Sequence, residues 1–242
     1  MSLLEVQSLD VRHGLLRAVR DVSFGVDKGE IIAFVGANGA GKTTLFRAIA
    51  GAHRPTGGHV RLDGKDITAV PSHERVKRGI ALVPEGRHLF TDMTVHENLM
   101  LAKASGRKGP WDVDSTMAIF PNLAPRLKQR SGTLSGGEQQ AAAIARALIT
   151  NPEVLLLDEV SLGLSPVAVA NVYESLQRVI QSGATILLVE QDLNRALAVA
   201  GRVICMRQGQ IVTQGRAGDM SRAEIMDAYF GARDTPPREA HA

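Results

Sequence analysis

Short runs of apolar residues alternate along this chain with stretches whose apolar positions recur every three or four residues. "LLEVQSL" (3–9) and "VSFGV" (22–26) alternate apolar and polar side chains, the period of a strand with one buried face. "EIIAFVG" (30–36), "GIALVPE" (79–85), "EVLLLDE" (153–159) and "ATILLVE" (184–190) are dominated by continuous apolar runs, as strands covered on both faces are. "HVRLDGKDI" (59–67) and "RVICMRQGQIVTQG" (202–215) read as hairpins, the first turning at Asp63-Gly64. "TVHENLMLAKA" (94–104) opens as a helix with Thr94 in capping position and Glu97 three residues on. A second helix starts after Ser135. A third follows Pro166 and sets Val169, Val172, Leu176, Val179 and Ile180 on one face. Asp192 caps a fourth, which runs to about Ala200. Residues 105–133 carry Gly106, Gly109, Pro110, Pro121, Pro125 and Trp111, which predicts short helices and loops of an inserted helical lobe. The tail "RDTPPREAHA" (233–242) is polar and proline-rich and is expected to be disordered. There are no internal repeats. Buried strands alternating with helices imply a mostly parallel sheet in an α/β fold, with ligands beyond the carboxyl ends of the strands.

Composition narrows the function classes. A length of 242 residues suits one large domain, or one domain with an inserted subdomain. A net charge of only +3 and 4% aromatic residues argue against a nucleic-acid partner. The single cysteine, Cys205, sits in the apolar run "RVICM"; it forms no internal disulfide and reads as a buried thiol. The opening "MSLLEVQSLD" lacks the features of a signal peptide, and no apolar run reaches the roughly eighteen residues of a membrane helix. The expectation is a cytoplasmic protein, with any membrane role supplied by a partner.

Two motifs carry chemistry. "GANGAGKT", Gly36 to Thr43, fits the phosphate-cradling pattern G-x-x-x-x-G-K-[ST] between a strand and a helix. Its glycines let the backbone wrap the phosphates, Lys42 supplies a positive charge, and the Thr43 hydroxyl can ligate Mg²⁺. "VLLLDE", Val154 to Glu159, ends a buried strand in two acids. Asp158 would hold Mg²⁺ directly or through water, and Glu159, one residue further out, is placed to polarise an attacking water.

A second glycine-rich helix start, "LSGGEQQAAAIARAL" (134–148), raises a question of purpose. Glycine costs a helix about 1 kcal/mol relative to alanine, but bare N–H groups at a helix start form an anion site. One nucleotide has one γ-phosphate, already cradled by Gly36–Thr43. The second start therefore makes sense for a nucleotide held by another molecule.

On these three motifs, in this order and spacing, the chain resembles the ATP-binding cassette (ABC) ATPases over about residues 3–230. The resemblance implies a P-loop NTPase core with a mostly parallel sheet, an N-terminal antiparallel β subdomain, and a helical subdomain inserted at about 87–150. All of these would lie in one ABC ATPase domain spanning 1–232. It implies ATP and Mg²⁺ as cofactors, with nucleotide contacts from Gly36, Ala37, Asn38, Gly39, Ala40, Gly41, Lys42, Thr43, Thr44 and His13. It implies metal contacts from Thr43, Asp158 and Glu85, and catalysis by Glu159, Gln191 and Lys42. Leu134, Ser135, Gly136, Gly137, Glu138 and Gln139 would close over the ATP of a partner cassette. Residues 161–166, "SLGLSP", fall at the loop that contacts that partner.

Four positions depart from the family pattern. Glu85 stands for the usual loop glutamine, Gln191 for the switch histidine, His13 for the adenine-stacking aromatic, and Val160 for a proline. The first two replacements are usual in one branch, the second ATPase subunit of branched-chain amino-acid importers. That likeness implies a second cassette, usually a different chain, two transmembrane permease subunits, and a periplasmic or extracellular solute-binding protein. It places the chain peripherally on the cytoplasmic face of the inner (plasma) membrane. A urea-type importer, an exporter, and an ATP-dependent clamp with little hydrolysis of its own are the alternatives. A neutral Gln191 cannot carry a proton, which predicts slow turnover at this chain's own site.

Overall fold

The computed structural model describes residues 2–230 and has two sheets. Strands β1 (Leu4–His13), β2 (Leu16–Val26), β4 (Gly57–Leu62) and β5 (Lys65–Asp66) form an antiparallel sheet in the order β2-β1-β4-β5. The central sheet has the order β10-β9-β3-β8-β7-β6. It comprises β3 (Ile31–Val35), β6 (Ile80–Val83), β7 (Val154–Asp158), β8 (Thr185–Val189), β9 (Arg202–Arg207) and β10 (Gln210–Arg216). Its neighbours pair in parallel except β10, which closes one edge antiparallel to β9. The architecture is the α/β arrangement that the continuous apolar runs predict.

The two-residue side-chain period of the central strands divides the core in two. Ile32, Phe34, Val154, Leu156, Leu187, Val189, Ile204 and Met206 face the antiparallel sheet and helix α1 (Lys42–Ile49). Ala33, Val35, Leu155, Leu157, Ile186, Leu188, Val203 and Cys205 face the other way. That second face is covered by α3 (Val95–Ala102), α4 (Val113–Ile119), α5 (Gly136–Ile149), α6 (Pro166–Gln181), α7 (Leu193–Val199) and the helix that ends the described chain (Arg222–Phe230). Burying one such Leu, Ile or Val contributes about 1.5–3 kcal/mol, so both faces are strongly committed.

Local signals set most boundaries. Thr94 accepts from the Glu97 N–H and the Glu97 carboxylate accepts from the Thr94 N–H, completing the capping box of α3. Ser165 caps α6 ahead of Pro166, and Asp192 caps α7. The Asp63-Gly64 turn has positive φ at both residues, as a two-residue hairpin turn requires. Residues 105–133 hold α4 and short 3₁₀ turns, as the Gly/Pro content predicts.

Four elements differ from the sequence expectation. The first two strands extend beyond 3–9 and 22–26, because Ser8 and Asp21 adopt left-handed backbone and the ladder shifts register there, which breaks the alternation. Helix α2 (Ser72–Arg78) has no apolar stripe. Its buried residue is Arg75, whose guanidinium donates to the carbonyls of Ala48, Ile49, Thr68 and Val70 at 2.6–2.8 Å. The terminal helix, α8 (Arg222–Phe230), has almost no amphipathic pattern and was not expected either. The tail expected to be disordered, 233–242, lies outside the described residues.

Candidate active site

The loop from Gly36 to Gly41 leaves β3 and enters α1 at Lys42. It can do so because two glycines fill places no side chain could. A Cβ at Gly36 would lie 2.2 Å from the Met206 carbonyl, and one at Gly41 would lie 2.4 Å from the Ala18 carbonyl, both at positive φ. The Lys42 ammonium donates to the carbonyls of Gly36 (2.6 Å) and Ala37 (3.0 Å). Burial draws its pKa down, while Glu159 and Asp158 pull it back up.

Asp158 is the last residue of β7 and is 0% exposed. One carboxylate oxygen accepts from the Thr43 hydroxyl at 3.1 Å; the other is buried without a partner. Burial pushes Asp158 up to about 6; the Thr43 bond opposes the rise, and the charges of Glu159 and Glu85 add to it. An orphaned buried oxygen beside a hydroxyl is a donor set that fits a hard cation. Mg²⁺ is held by one or two carboxylates together with substrate phosphates and water. Among the described residues no three His, Cys, Asp or Glu side chains could hold a metal by themselves, so phosphate and water would have to complete the shell.

Glu159 follows in left-handed backbone (φ 49), its N–H donating to the Val189 carbonyl at 3.2 Å. The Gln191 side-chain amide donates to the Glu159 carboxylate at 2.7 Å. Val160, where a proline is usual, is buried in the core instead.

These groups surround one cleft of ≈ 420 Å³, a size suited to a small-molecule ligand. Its lining takes in Asn38 to Thr44, together with His13, Glu85, Glu159 and Gln191; Asp158 sits behind it. Gly36 and Ala37 lie at the entry of the loop, holding Lys42. His13, the exposed last residue of β1, has Nε2 3.2 Å from the Thr44 hydroxyl. Its ring packs against His53 with centroids 4.4 Å apart. His53 escaped the sequence reading, since a lone histidine in the loop after α1 gives no periodic signal.

Leu134 to Gln139 do not line this cleft. Ser135 caps α5, accepting from the Glu138 N–H at 3.3 Å and donating its hydroxyl to the Glu138 carboxylate at 2.8 Å. Arg126 pairs with Glu138, and Arg87 donates to Gln139. The two glycines serve the chain's own packing here. A Cβ at Gly137 would lie 2.8 Å from the Cβ of Ala168, and one at Gly136 would lie 3.2 Å from Arg87 and Leu164. An anion site alone therefore does not account for the missing side chains.

The arrangement presents backbone N–H groups and a lysine to phosphates, a hydroxyl and an acid to a cation, and a carboxylate held by an amide donor to a water. The ABC transporter family model matches residues 19–161. The high-affinity branched-chain amino acid transport ATP-binding protein BraG of Pseudomonas aeruginosa is 40% identical over 232 residues, which cover 95% of this chain and 100% of that protein. The lipopolysaccharide export system ATP-binding protein LptB of Haemophilus influenzae is 31% identical over 237 residues, covering 96% of this chain and 98% of its own. A crystal structure of the ADP conformation of an ATP-binding cassette of an ABC transporter superposes with TM-score 0.81 at 27% identity, covering 96% of this chain and 99% of that one. By family match, by whole-length similarity and by fold, the chain belongs to the ABC transporter ATPases, cassettes that bind nucleotide and hydrolyse ATP.

Proposed function

We propose that this cassette powers the import of branched-chain amino acids or a related small solute. It would act as one of two ATPase subunits on the cytoplasmic face of the membrane, with two permease subunits and a solute-binding protein outside. Whole-length similarity to BraG is the observation that carries the choice of solute class. Exposed Leu162 within the loop 161–166 and exposed Val167 just after it suit a second cassette. Exposed Phe90 and Leu101 border a groove of ≈ 370 Å³ between the P-loop core and the helical lobe at about 87–150, and suit a membrane subunit.

The residues divide the work as follows. Asn38 to Thr44 cradle the phosphates, and Lys42 exchanges the Gly36 and Ala37 carbonyls for phosphate oxygens. Thr43 and Asp158, with Glu85 across the cleft, would hold Mg²⁺, which when bound offsets the negative charge of the phosphates. His13 lies against the base. Glu159 accepts the proton of the attacking water, and Gln191 orients it through the 2.7 Å contact. Gln191 donates a hydrogen bond but carries no charge, so this half of the dimer turns over slowly. Ser135 and Gly137 meet the partner's ATP once the dimer closes.

Steady-state Mg-ATP hydrolysis by the complex that copurifies with the chain, wild type beside Glu159→Gln, tests the assignment. A loss of about a hundredfold or more is expected, the scale of removing a group that acts on the developing charge. Nearly unchanged turnover would replace it with the clamp reading. Similarity to LptB favours export as the second reading for direction. Uptake of labelled leucine by right-side-out vesicles, with ATP inside and the solute-binding protein outside, separates the two.

A further inference from the structure

Beneath the Gln191–Glu159 contact lies a carboxylate that the reaction does not touch. Glu190, the residue after β8, is 2% exposed. Burying a charge is costly unless it is fully hydrogen-bonded, and here the donors come from three separate segments. The Ser161 hydroxyl reaches both oxygens (2.9 and 3.2 Å), the Tyr173 hydroxyl of α6 donates to one, and the backbone N–H groups of Gln191 (2.9 Å) and Asp192 (3.1 Å) donate to the other. Burial, with the Glu190 charge beside it, raises the pKa of the Tyr173 phenol and keeps it a donor. Arg195 is the nearby cation, but it reaches Ser161 and Asp192, not Glu190. The charge is therefore held by oriented dipoles.

The two loops that carry the catalytic pair are thus joined twice. Glu159 meets Gln191, and two residues further along its loop Ser161 meets Glu190. The Gln191 backbone is gripped by its neighbour's carboxylate, which fixes the direction in which its side chain leaves the chain. We infer that Glu190 is a positioning residue for hydrolysis, holding Gln191 in the orientation from which its amide engages Glu159. This rests on the role given to Gln191 above.

A double-mutant cycle on ATP turnover by the full chain, with the subunits that copurify, tests it. Glu190→Gln keeps the volume but removes the charge; with the amide oxygen on the Gln191 and Asp192 N–H groups, its NH₂ faces the Ser161 and Tyr173 hydroxyls, which now donate to a carboxylate oxygen and would have to reverse. On the order of a tenfold fall in kcat is expected, with KM for ATP unchanged, since small misplacements of positioning groups act on the chemical step. In a Gln191→Ala background the same change should lower kcat less than twofold, because the group it acts through is gone. An equal fall in both backgrounds, or a fall in neither, overturns the inference. If Gln191→Ala alone leaves kcat unchanged, the role of Gln191 fails first, and that result is distinct. Should Glu190→Gln not fold, Tyr173→Phe removes one donor from the same oxygen and must give a smaller fall that is likewise lost in Gln191→Ala; the same fall in both backgrounds overturns the inference.

Discussion

Replacing the buried acid behind the cleft should make the empty protein more stable and useless for catalysis. Asp158 is fully enclosed and one of its oxygens has no donor. Its pKa lies at about 6, against an ordinary 3.8 that the unfolded chain restores. Each pH unit of difference is worth about 1.4 kcal/mol, so the ionised carboxylate costs the nucleotide-free fold about 3 kcal/mol. The sign follows from a raised folded-state value. Below about pH 4 both states hold the proton and the cost is absent. It grows as pH rises to about 6 and is constant above. Asp158→Asn keeps an acceptor for Thr43 but buries an amide N–H without a partner, returning about 1–2 kcal/mol of the gain. The variant should therefore be about 1–2 kcal/mol more stable near neutral pH, a rise in Tm of roughly 2–8 °C for a chain of this size. Near pH 4 it should be the less stable of the two. Calorimetry in EDTA without nucleotide, across pH 4–8, reads the crossing directly. Mg-ATP should raise the Tm of the wild type and not of the variant. A stability difference flat across pH would refute the reasoning, since it would mean that the buried oxygen finds a partner or remains ionised at no cost.

Two further outcomes follow from packing. Gly137→Ala places a methyl 2.8 Å from the Cβ of Ala168 and should cost about 1–3 kcal/mol in a urea melt, lowering ATPase activity by displacing the start of α5. Thr94→Ala removes half of a complete capping box and should cost about 1 kcal/mol, with KM for ATP unmoved because α3 lies away from the cleft.

Most of the fold was readable because its signals are local. The central strands announce themselves by continuous apolar runs, and Thr94, Ser135 and Asp192 cap helices where their side chains predict. Helix α2 was invisible because Arg75, a polar residue, fills the place an apolar stripe would occupy. In the cleft, glycine, lysine and acid spacing marked which residues the fold brings together. What could not be read was the contact made by each side chain. Nothing in "VEQD" says that Glu190 turns inward while Gln191 turns toward Glu159. Nor does "SGGEQQ" reveal that its glycines are matched to Ala168 and Leu164, thirty residues on. Long-range packing decides both.

The left-handed Glu159 gains a different meaning when amide exchange is considered. A non-glycine residue in that conformation stores about 1–3 kcal/mol, and a loop free to open would release it. Yet Glu159 directly follows β7, which is paired on both edges and covered on both faces. Amides in such a strand exchange with solvent only when the whole molecule unfolds. A strained residue is thus fastened to backbone that opens only with the whole fold. The aim of the Glu159 carboxylate is as durable as the fold itself, and on the role proposed for it heating should abolish hydrolysis at the global melting transition, with no earlier loss from a softened loop.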